Sequence, residues 1–410
     1  MTQNTDDFVS TAVHTDNRQH WLRIFLVWVG FIVVVGTMAV GGGMAGQMQQ
    51  SEFITAVLVG NLLLACFATL AGYIGAESGK TFNQLMSDVF PHKLSWRIAS
   101  FYAPVILIGW FGVEAAIFGN LIGEIFNLPT GVRRLIMSLT AVVFAVSAYL
   151  GFRALNRVSA VAVPLIFLIG FYAIYLVSAQ STAKFGFSGT LIGIGEGTAI
   201  VMGSWIMGVL ICLPDLTRFC RSRLAGAMVG AIGILVGNIF TFMVGGSAAA
   251  MAGESDPAKL LVSFGFIPLA VILSLANIWT TNDSNMYSAA LHVARVGEIT
   301  RRRAVIICTV IAAIFAAFDP TSIGMLFTFL IFMGNTAPAL GGIVLGAYLV
   351  NRGRSQKLVS VLGGWIGWAA GSFVGSWLGS AWAVPVGFFL GFAVWLVFAA
   401  QSWEKNLAET

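Results

Sequence analysis

Val271-Ile-Leu-Ser-Leu-Ala-Asn277-Ile-Trp-Thr280-Thr281-Asn282-Asp283-Ser284-Asn285-Met-Tyr-Ser-Ala-Ala-Leu291 begins as an apolar run and then turns polar. Asn277, Thr280, Thr281 and Ser284 recur at i, i+3, i+4 and i+7, so a helix here carries four oxygen-bearing side chains on one face. Asn282, Asp283 and Asn285 occupy its other faces. In water this is an ordinary polar helix end. The flanking chain is so apolar, however, that the helix belongs in or beside a membrane, where an unpaired polar group costs several kcal/mol. Polar clusters persist there by facing a cavity, an ion or another helix.

The whole chain reads the same way. Its 410 residues are 58% hydrophobic and only 10% charged, with a mean hydropathy of +0.88, whereas a soluble domain is about 25% charged. This is a polytopic membrane protein. The net charge of +5 is no nucleic-acid footprint, because the basic residues punctuate the apolar segments rather than cluster. Cys66, Cys212, Cys220 and Cys308 have neither disulfide nor zinc spacing and read as small packing residues. The polar first twenty residues, with Asp6, Asp7 and Asp16, are no signal peptide, so the first span is expected to stay as an uncleaved anchor.

A span needs about 20 mostly apolar residues. That ruler gives about twelve: near 21–46, 53–76, 98–126, 132–152, 157–178, 192–213, 223–250, 264–291, 302–317, 321–350, 357–378 and 382–400. They divide into a tail over 1–20, a ten-helix core over 21–350, two additional spans over 357–400 and a second tail over 401–410. With both tails inside, all but four of the 22 lysines and arginines fall on the inner side. The exceptions are Arg133, Arg134, Lys184 and Lys259. This asymmetry supports the span count and cytoplasmic termini.

Glycines punctuate two spans. The first runs through Gly36, Gly41, Gly42, Gly43 and Gly46; the sixth runs through Gly193, Gly195, Gly197, Gly203 and Gly208 and ends at Pro214. Glycine weakens a helix by about 1 kcal/mol relative to alanine, so both spans are expected to break there. If 21–178 and 192–350 are halves of opposite topology, the first and sixth spans correspond, which points to an inverted-repeat transporter with a midplane site. Close helix packing is the other use of such glycines.

Glu114 lies well inside the third span, four residues after Trp110 and on the same face. A carboxylate at that depth is a candidate substrate or proton site, although pairing with a neighbouring helix's hydroxyl or amide would also hold it. Trp205 follows Ser204 at the expected break of the sixth span, and Trp110 and Trp205 are placed to sandwich a flat heterocycle. Thr280 and Thr281, with backbone carbonyls freed between Val34 and Thr37, have the makings of a sodium site. Buried threonines also commonly bond the preceding turn. His14, His20, His92 and His292 fall at ends or in loops, which argues against a histidine relay. Asp215, ahead of Arg218 and Arg221, reads as an inner salt-bridge cluster. No Walker loop, HExxH or nucleophile elbow appears, so neither an enzyme nor an ATP-driven pump is expected.

Ala276-Asn-Ile-Trp-Thr-Thr-Asn-Asp283, with Ala56-Val-Leu-Val-Gly-Asn-Leu-Leu-Leu64, Gly72-Tyr-Ile-Gly-Ala76 and Gly109-Trp-Phe-Gly-Val113, resembles the nucleobase–cation symporter family, also called the purine-cytosine permease family. The resemblance covers about residues 25–355. It implies an all-α, twelve-span protein with the LeuT-type five-plus-five inverted repeat and broken helices 1 and 6. It also implies uptake of a flat nitrogen heterocycle coupled to sodium or protons, in the cytoplasmic membrane. By position, Thr280 and Thr281 match sodium-binding hydroxyls, Asn277 matches a residue whose carbonyl faces the ion, and Val34 and Thr37 match first-span carbonyls. Trp110 and Trp205 match the aromatics that stack on the base. Glu114 falls where members often hold a polar substrate contact, and Ser204, Asn277 and Asn282 complete the candidate polar contacts.

The chain also departs from the family members that carry cytosine. Those have Gln at the place of Leu107, Phe and Ser at Trp205 and Met207, and Gly at Glu114. The pocket has thus lost neutral hydrogen-bonding groups and gained a carboxylate. A matching base offers donors to Glu114 or is cationic: cytosine, guanine or an aminopyrimidine such as a thiamine precursor. Uracil, with its acceptor-rich edge, is disfavoured. Sodium is the expected coupling ion, and a monomer without a further cofactor is expected. The alternative is proton coupling through Glu114, with a hydroxymethylpyrimidine or an allantoin- or hydantoin-like cargo.

Overall fold

The computed structural model describes residues 7–180, 186–187, 189–321, 323–354, 357–378 and 382–408. Lys184, counted above on the outer side, lies outside these. Helices make up all the regular structure among the described residues, apart from one isolated bridge between Gln19 and Cys220.

Span 1 is two helices, Trp21–Ile32 and Val35–Ala45, bent by 53° at the break. The break does not fall at the glycines. It falls in Ile32-Val33-Val34-Val35, where Val33 (ψ 98°) and Val34 (φ −138°, ψ 141°) are extended. Four successive β-branched residues crowd a helical turn and favour extended backbone. Gly36, Gly41, Gly42 and Gly43 sit inside the second half-helix. Gly41 lies against the backbone of Phe242 and Gly42 against Ala249 and Ser255, so these two serve close packing onto span 7.

Span 6 is interrupted more gently than its glycines predict. Ile194–Met207 passes into a π-helical turn at Gly208–Cys212 and continues as Leu213–Thr217, without an unwound segment. Gly208 lies against the Trp205 ring. A glycine here admits that large ring, while the widened π turn takes up the extra residue. A second π turn, Ile234–Asn238, interrupts span 7.

Among the described residues, eight stretches are long and apolar enough to cross a membrane, and the bent pair of span 1 makes a ninth. The remaining expected spans are also helices. Ile267–Gly297 carries the polar stretch, Arg301–Ala316 has only 16 residues, and Val361–Leu378 is rich in glycine. Two short helices, Phe82–Val89 and Lys93–Ser100, link spans 2 and 3; the first begins with a capping box between Thr81 and Gln84. Large apolar side chains such as Leu62, Val105, Leu168 and Phe373 point outward, as they do toward lipid, where burial gains them nothing. The buried interior instead holds the polar run of span 8, from Asn277 to Ser288.

At the end of the bundle bearing the excess of basic residues, residues 7–20 form a strap across several spans. Val13 N–H donates to the Gly79 carbonyl at 2.8 Å, the Gln84 amide to the Val9 carbonyl at 2.9 Å, and Gln19 N–H to the Phe219 carbonyl at 2.7 Å. Arg218 donates to the Asp7 carbonyl at 2.7 Å, and Arg301 pairs with the Asp7 carboxylate at 3.2 Å.

Candidate functional site

Span 8 passes the bend of span 1 and repairs it. With the α-helix interrupted at Val33 and Val34, backbone groups there lack their ordinary partners. Asn277 supplies two: its amide donates to the Val33 carbonyl at 2.9 Å, and its side-chain oxygen accepts from Val35 N–H at 3.1 Å. One turn on, the Thr281 hydroxyl lies 3.2 Å from both the Phe31 and the Asn277 carbonyls. The Thr280 hydroxyl is 3.0 Å from the Ala276 and Asn277 carbonyls. Carbonyls of spans 1 and 8 and two hydroxyls thus converge in a fully buried place. Neutral oxygens of this kind suit a small hard cation.

The structure sorts the first-span candidates. The Val34 carbonyl accepts from Met38 N–H at 3.2 Å, opening the second half-helix. The Thr37 side chain serves another contact: its hydroxyl accepts from the Trp205 indole at 3.2 Å. Phe31, which the sequence did not single out, brings its carbonyl to Thr281. The only signal for it was its place immediately before the β-branched run.

Beside this group lies a cavity of ≈ 40 Å³, lined by Phe31, Thr37, Trp110, Ser204, Trp205 and Asn285 among others. A water needs about 10–15 Å³, so the cavity has room for a few. Trp110 and Trp205 both line it. Trp110 stacks on Phe329, with centroids 6.1 Å apart and planes 10° apart, while Trp205 meets Phe31 edge-on at 5.1 Å. Ser204 also bonds the Val201 carbonyl at 2.7 Å. Asn285, on a face of span 8 left aside above, reaches the cavity with its amide nitrogen unpartnered among the described residues.

Three candidates lie outside that lining. Asn277 is occupied at the bend. The Asn282 amide donates to the Phe111 carbonyl at 3.1 Å, tying span 8 to span 3. Glu114 is fully buried, and neither carboxylate oxygen has a hydrogen-bond partner among the described residues. It is aimed at Gly36: a Cβ built there would stand 3.0 Å from Glu114 Oε1 and 3.1 Å from the Trp110 ring. The absent side chain at Gly36 therefore makes room for Glu114 and Trp110 behind the cavity wall.

The expected salt bridge at Asp215 is replaced by other contacts. Arg218 donates to the Asp215 backbone carbonyl at 3.0 Å and to the Tyr287 hydroxyl at 3.0 Å, and its other bonds go to the strap. The Asp215 carboxylate accepts from Phe82 N–H at 2.8 Å. His292 is not in a loop. It is fully buried on span 8, with its ring nitrogen 3.9 Å from Asp215. The 31-residue helix, Ile267–Gly297, runs past the segment expected from hydropathy and carries this histidine inward.

Comparison with known proteins places this architecture. Residues 13–408 match the family described as permease for cytosine/purines, uracil, thiamine, allantoin. The cytosine permease of Escherichia coli (strain K12) is 27% identical over 370 residues, which span 89% of this chain and 86% of the relative. Among solved structures, Mhp1, a nucleobase-cation-symport-1 family transporter in a closed conformation with bromovinylhydantoin bound, superposes with a TM-score of 0.80. That match has 18% identity and covers 96% of this chain and 94% of Mhp1. A Na+-coupled sialic acid symporter in its substrate-bound outward-open state gives a TM-score of 0.69 at 11% identity, covering 94% of this chain and 90% of its own. These likenesses establish the LeuT-type fold of a multi-pass membrane protein. The chain is a transporter rather than an enzyme, and it belongs to the family of permeases for cytosine/purines, uracil, thiamine and allantoin.

Proposed function

We propose that the protein imports a nucleobase, cytosine or a related purine or aminopyrimidine, by sodium-coupled symport across the cytoplasmic membrane, as a monomer with both termini inside. One observation carries this reading: Phe31 serves two sites at once. Its carbonyl meets the Thr281 hydroxyl at 3.2 Å, and its ring lines the cavity and packs edge-on to Trp205. A cation drawing the Phe31 carbonyl toward Thr280 and Thr281 fixes the same residue that shapes the substrate cavity. Each ligand then favours the other's bound conformation, which is a coupling free energy and hence reciprocal.

In this mechanism Trp110 and Trp205 take the two faces of the base, Ser204 and Asn285 meet its edge, and Glu114 is reached once the wall at Gly36 moves. The cavity of ≈ 40 Å³ admits a ring only after its walls separate, as alternating access demands. Uptake of radiolabelled cytosine, guanine and aminopyrimidines into proteoliposomes, driven by an imposed sodium gradient, tests the proposal. Saturable accumulation that collapses with the gradient supports it; linear, non-saturable flux overturns it.

A second reading is favoured by the two unpartnered oxygens of Glu114: proton-coupled uptake of a different heterocycle, such as a hydroxymethylpyrimidine or an allantoin- or hydantoin-like compound, with Glu114 as the proton site. Accumulation that persists without sodium and follows an imposed pH gradient selects it.

A further inference from the structure

A second cavity lies away from the transport site, at the basic end of the bundle. It measures ≈ 530 Å³, within the range of about 300–1,000 Å³ typical of small-ligand sites. Its walls come from the strap, the start of span 1 and the start of span 5. Arg18, Arg23, Arg153 and Arg157 line it, opposed by the single carboxylate of Asp16. Asn156 lies among them, its amide donating to the Gln19 side-chain oxygen at 2.7 Å and its own side-chain oxygen without a partner among the described residues.

Arg18 is committed in part to the Ala76 and Cys220 carbonyls. The guanidinium groups of Arg23, Arg153 and Arg157 bond no described residue. Arg23, Arg153 and Arg157 are exposed, without a partner among the described residues, and a bound anion would offset the repulsion among them that water and salt only screen. Their planar, multi-donor forks match the oxygens of a phosphate. Positive charge in loops orients a membrane protein wherever it sits on that side, and does not call for a concave wall shared by three chain segments.

We propose that this cavity is a binding site for a phosphate-bearing anion, held by Arg23, Arg153 and Arg157. Both a lipid headgroup of the inner leaflet and a soluble phosphate present that chemistry. The surroundings favour the lipid. Trp21 and Leu22, at the foot of span 1, and Val161, one turn beyond Arg157, are exposed and apolar, so acyl chains have a surface to follow. Basic pockets between spans on the cytoplasmic side hold anionic headgroups by the same physics. Because Gln19 and Arg18 tie the strap to Phe219, Cys220 and Ala76, the bound anion also fastens the foot of span 5 to the strap.

The test uses the full-length protein in neutral detergent, titrated separately with phosphatidylglycerol, phosphatidylcholine and inorganic phosphate while the unfolding temperature is followed. Phosphatidylglycerol should raise that temperature and phosphatidylcholine should not. The rise should fall by at least half in Arg153→Gln/Arg157→Gln and shrink with added salt. An equal rise with inorganic phosphate supports the site with a soluble anion as its ligand; a rise with phosphatidylglycerol alone supports it with a lipid. Arg153→Lys/Arg157→Lys preserves the orienting charge and should keep most of the rise, separating loss of the site from loss of the fold. No rise with either anion, or an undiminished rise in the glutamine double variant, overturns the proposal.

Discussion

Asn277 and Val35, separated by 242 positions in the chain, are joined by a 3.1 Å hydrogen bond from the Val35 N–H to the Asn277 side-chain oxygen. The same carboxamide donates to the Val33 carbonyl at 2.9 Å, so one side chain of span 8 satisfies both sides of the bend in span 1. Asn277→Ala strands two buried backbone groups, each at about 1–3 kcal/mol, and should lower the unfolding temperature sharply. Asn277→Asp keeps the acceptor and loses the donor, and should fall between. Thermal unfolding in detergent measures both. Unchanged melting in the alanine variant would show that the bend does not depend on this residue.

The Thr281 hydroxyl sits between the Phe31 and Asn277 carbonyls. If sodium is the coupling ion, Thr281→Ala removes a ligand whose interaction with a charge is about 1.5–3 kcal/mol. The sodium concentration for half-maximal uptake should then rise by roughly tenfold or more, with Thr281→Ser close to wild type. Equal sodium dependence in wild type and the alanine variant places the ion elsewhere.

Glu114 and Gly36 act as a pair. Glu114→Gln replaces a carboxyl group that can accept at both oxygens with an amide that always donates at one position, so competition assays should show the preference moving from donor-rich bases toward acceptor-rich ones such as uracil. Gly36→Ala places a methyl group 3.0 Å from Glu114 Oε1 and 3.1 Å from the Trp110 ring. It should weaken uptake while leaving the fold intact. Unaltered competition profiles in Glu114→Gln would remove the carboxylate from the substrate's path.

Two glycines should respond to the same change with opposite signs. A Cβ on Gly226 stands 2.5 Å from the Ala76 Cβ and closer still to the Gly72 carbonyl, so Gly226→Ala forces spans 2 and 7 apart at about 1–3 kcal/mol. A Cβ on Gly43 meets nothing within 4 Å. Gly43→Ala, inside a half-helix, should stabilise by up to about 1 kcal/mol. Melting temperatures of the two variants check the contrast.

The strap predicts a labelling pattern. The Asp7 carboxylate accepts from Phe152 N–H at 3.0 Å and pairs with Arg301 at 3.2 Å, and Cys220 is buried beneath the same segment. Asp7→Ala should loosen it and speed maleimide modification of Cys220 several-fold, relative to the buried Cys308 on span 9. Equal rates in wild type and variant would mean that the strap is held by its backbone contacts alone.

Much of this was legible in the chain. Low charge and long apolar runs specify a membrane bundle, because each span's insertion depends on its own composition. The spacing of Asn277, Thr280, Thr281 and Ser284 places one polar face on span 8, because helical periodicity is a property of neighbours in sequence. The break in span 1 was also written there, in Ile32-Val-Val-Val35, although the more conspicuous glycines drew the expectation a few residues too far. Gly41 and Gly42 turned out to be contact surfaces while Gly43 meets nothing, because a glycine's role depends on what approaches it. Only the tertiary structure decided that Asn277 bridges the bend, that Thr37 turns to Trp205, that Asn285 reaches the cavity and that His292 is buried beside Asp215. A polar group in lipid that its own helical turn does not satisfy must find its partner on another span, and the chain that supplies it lies more than a hundred residues away in several of these cases. Local pattern names the groups that need partners, and the packing of the spans chooses them.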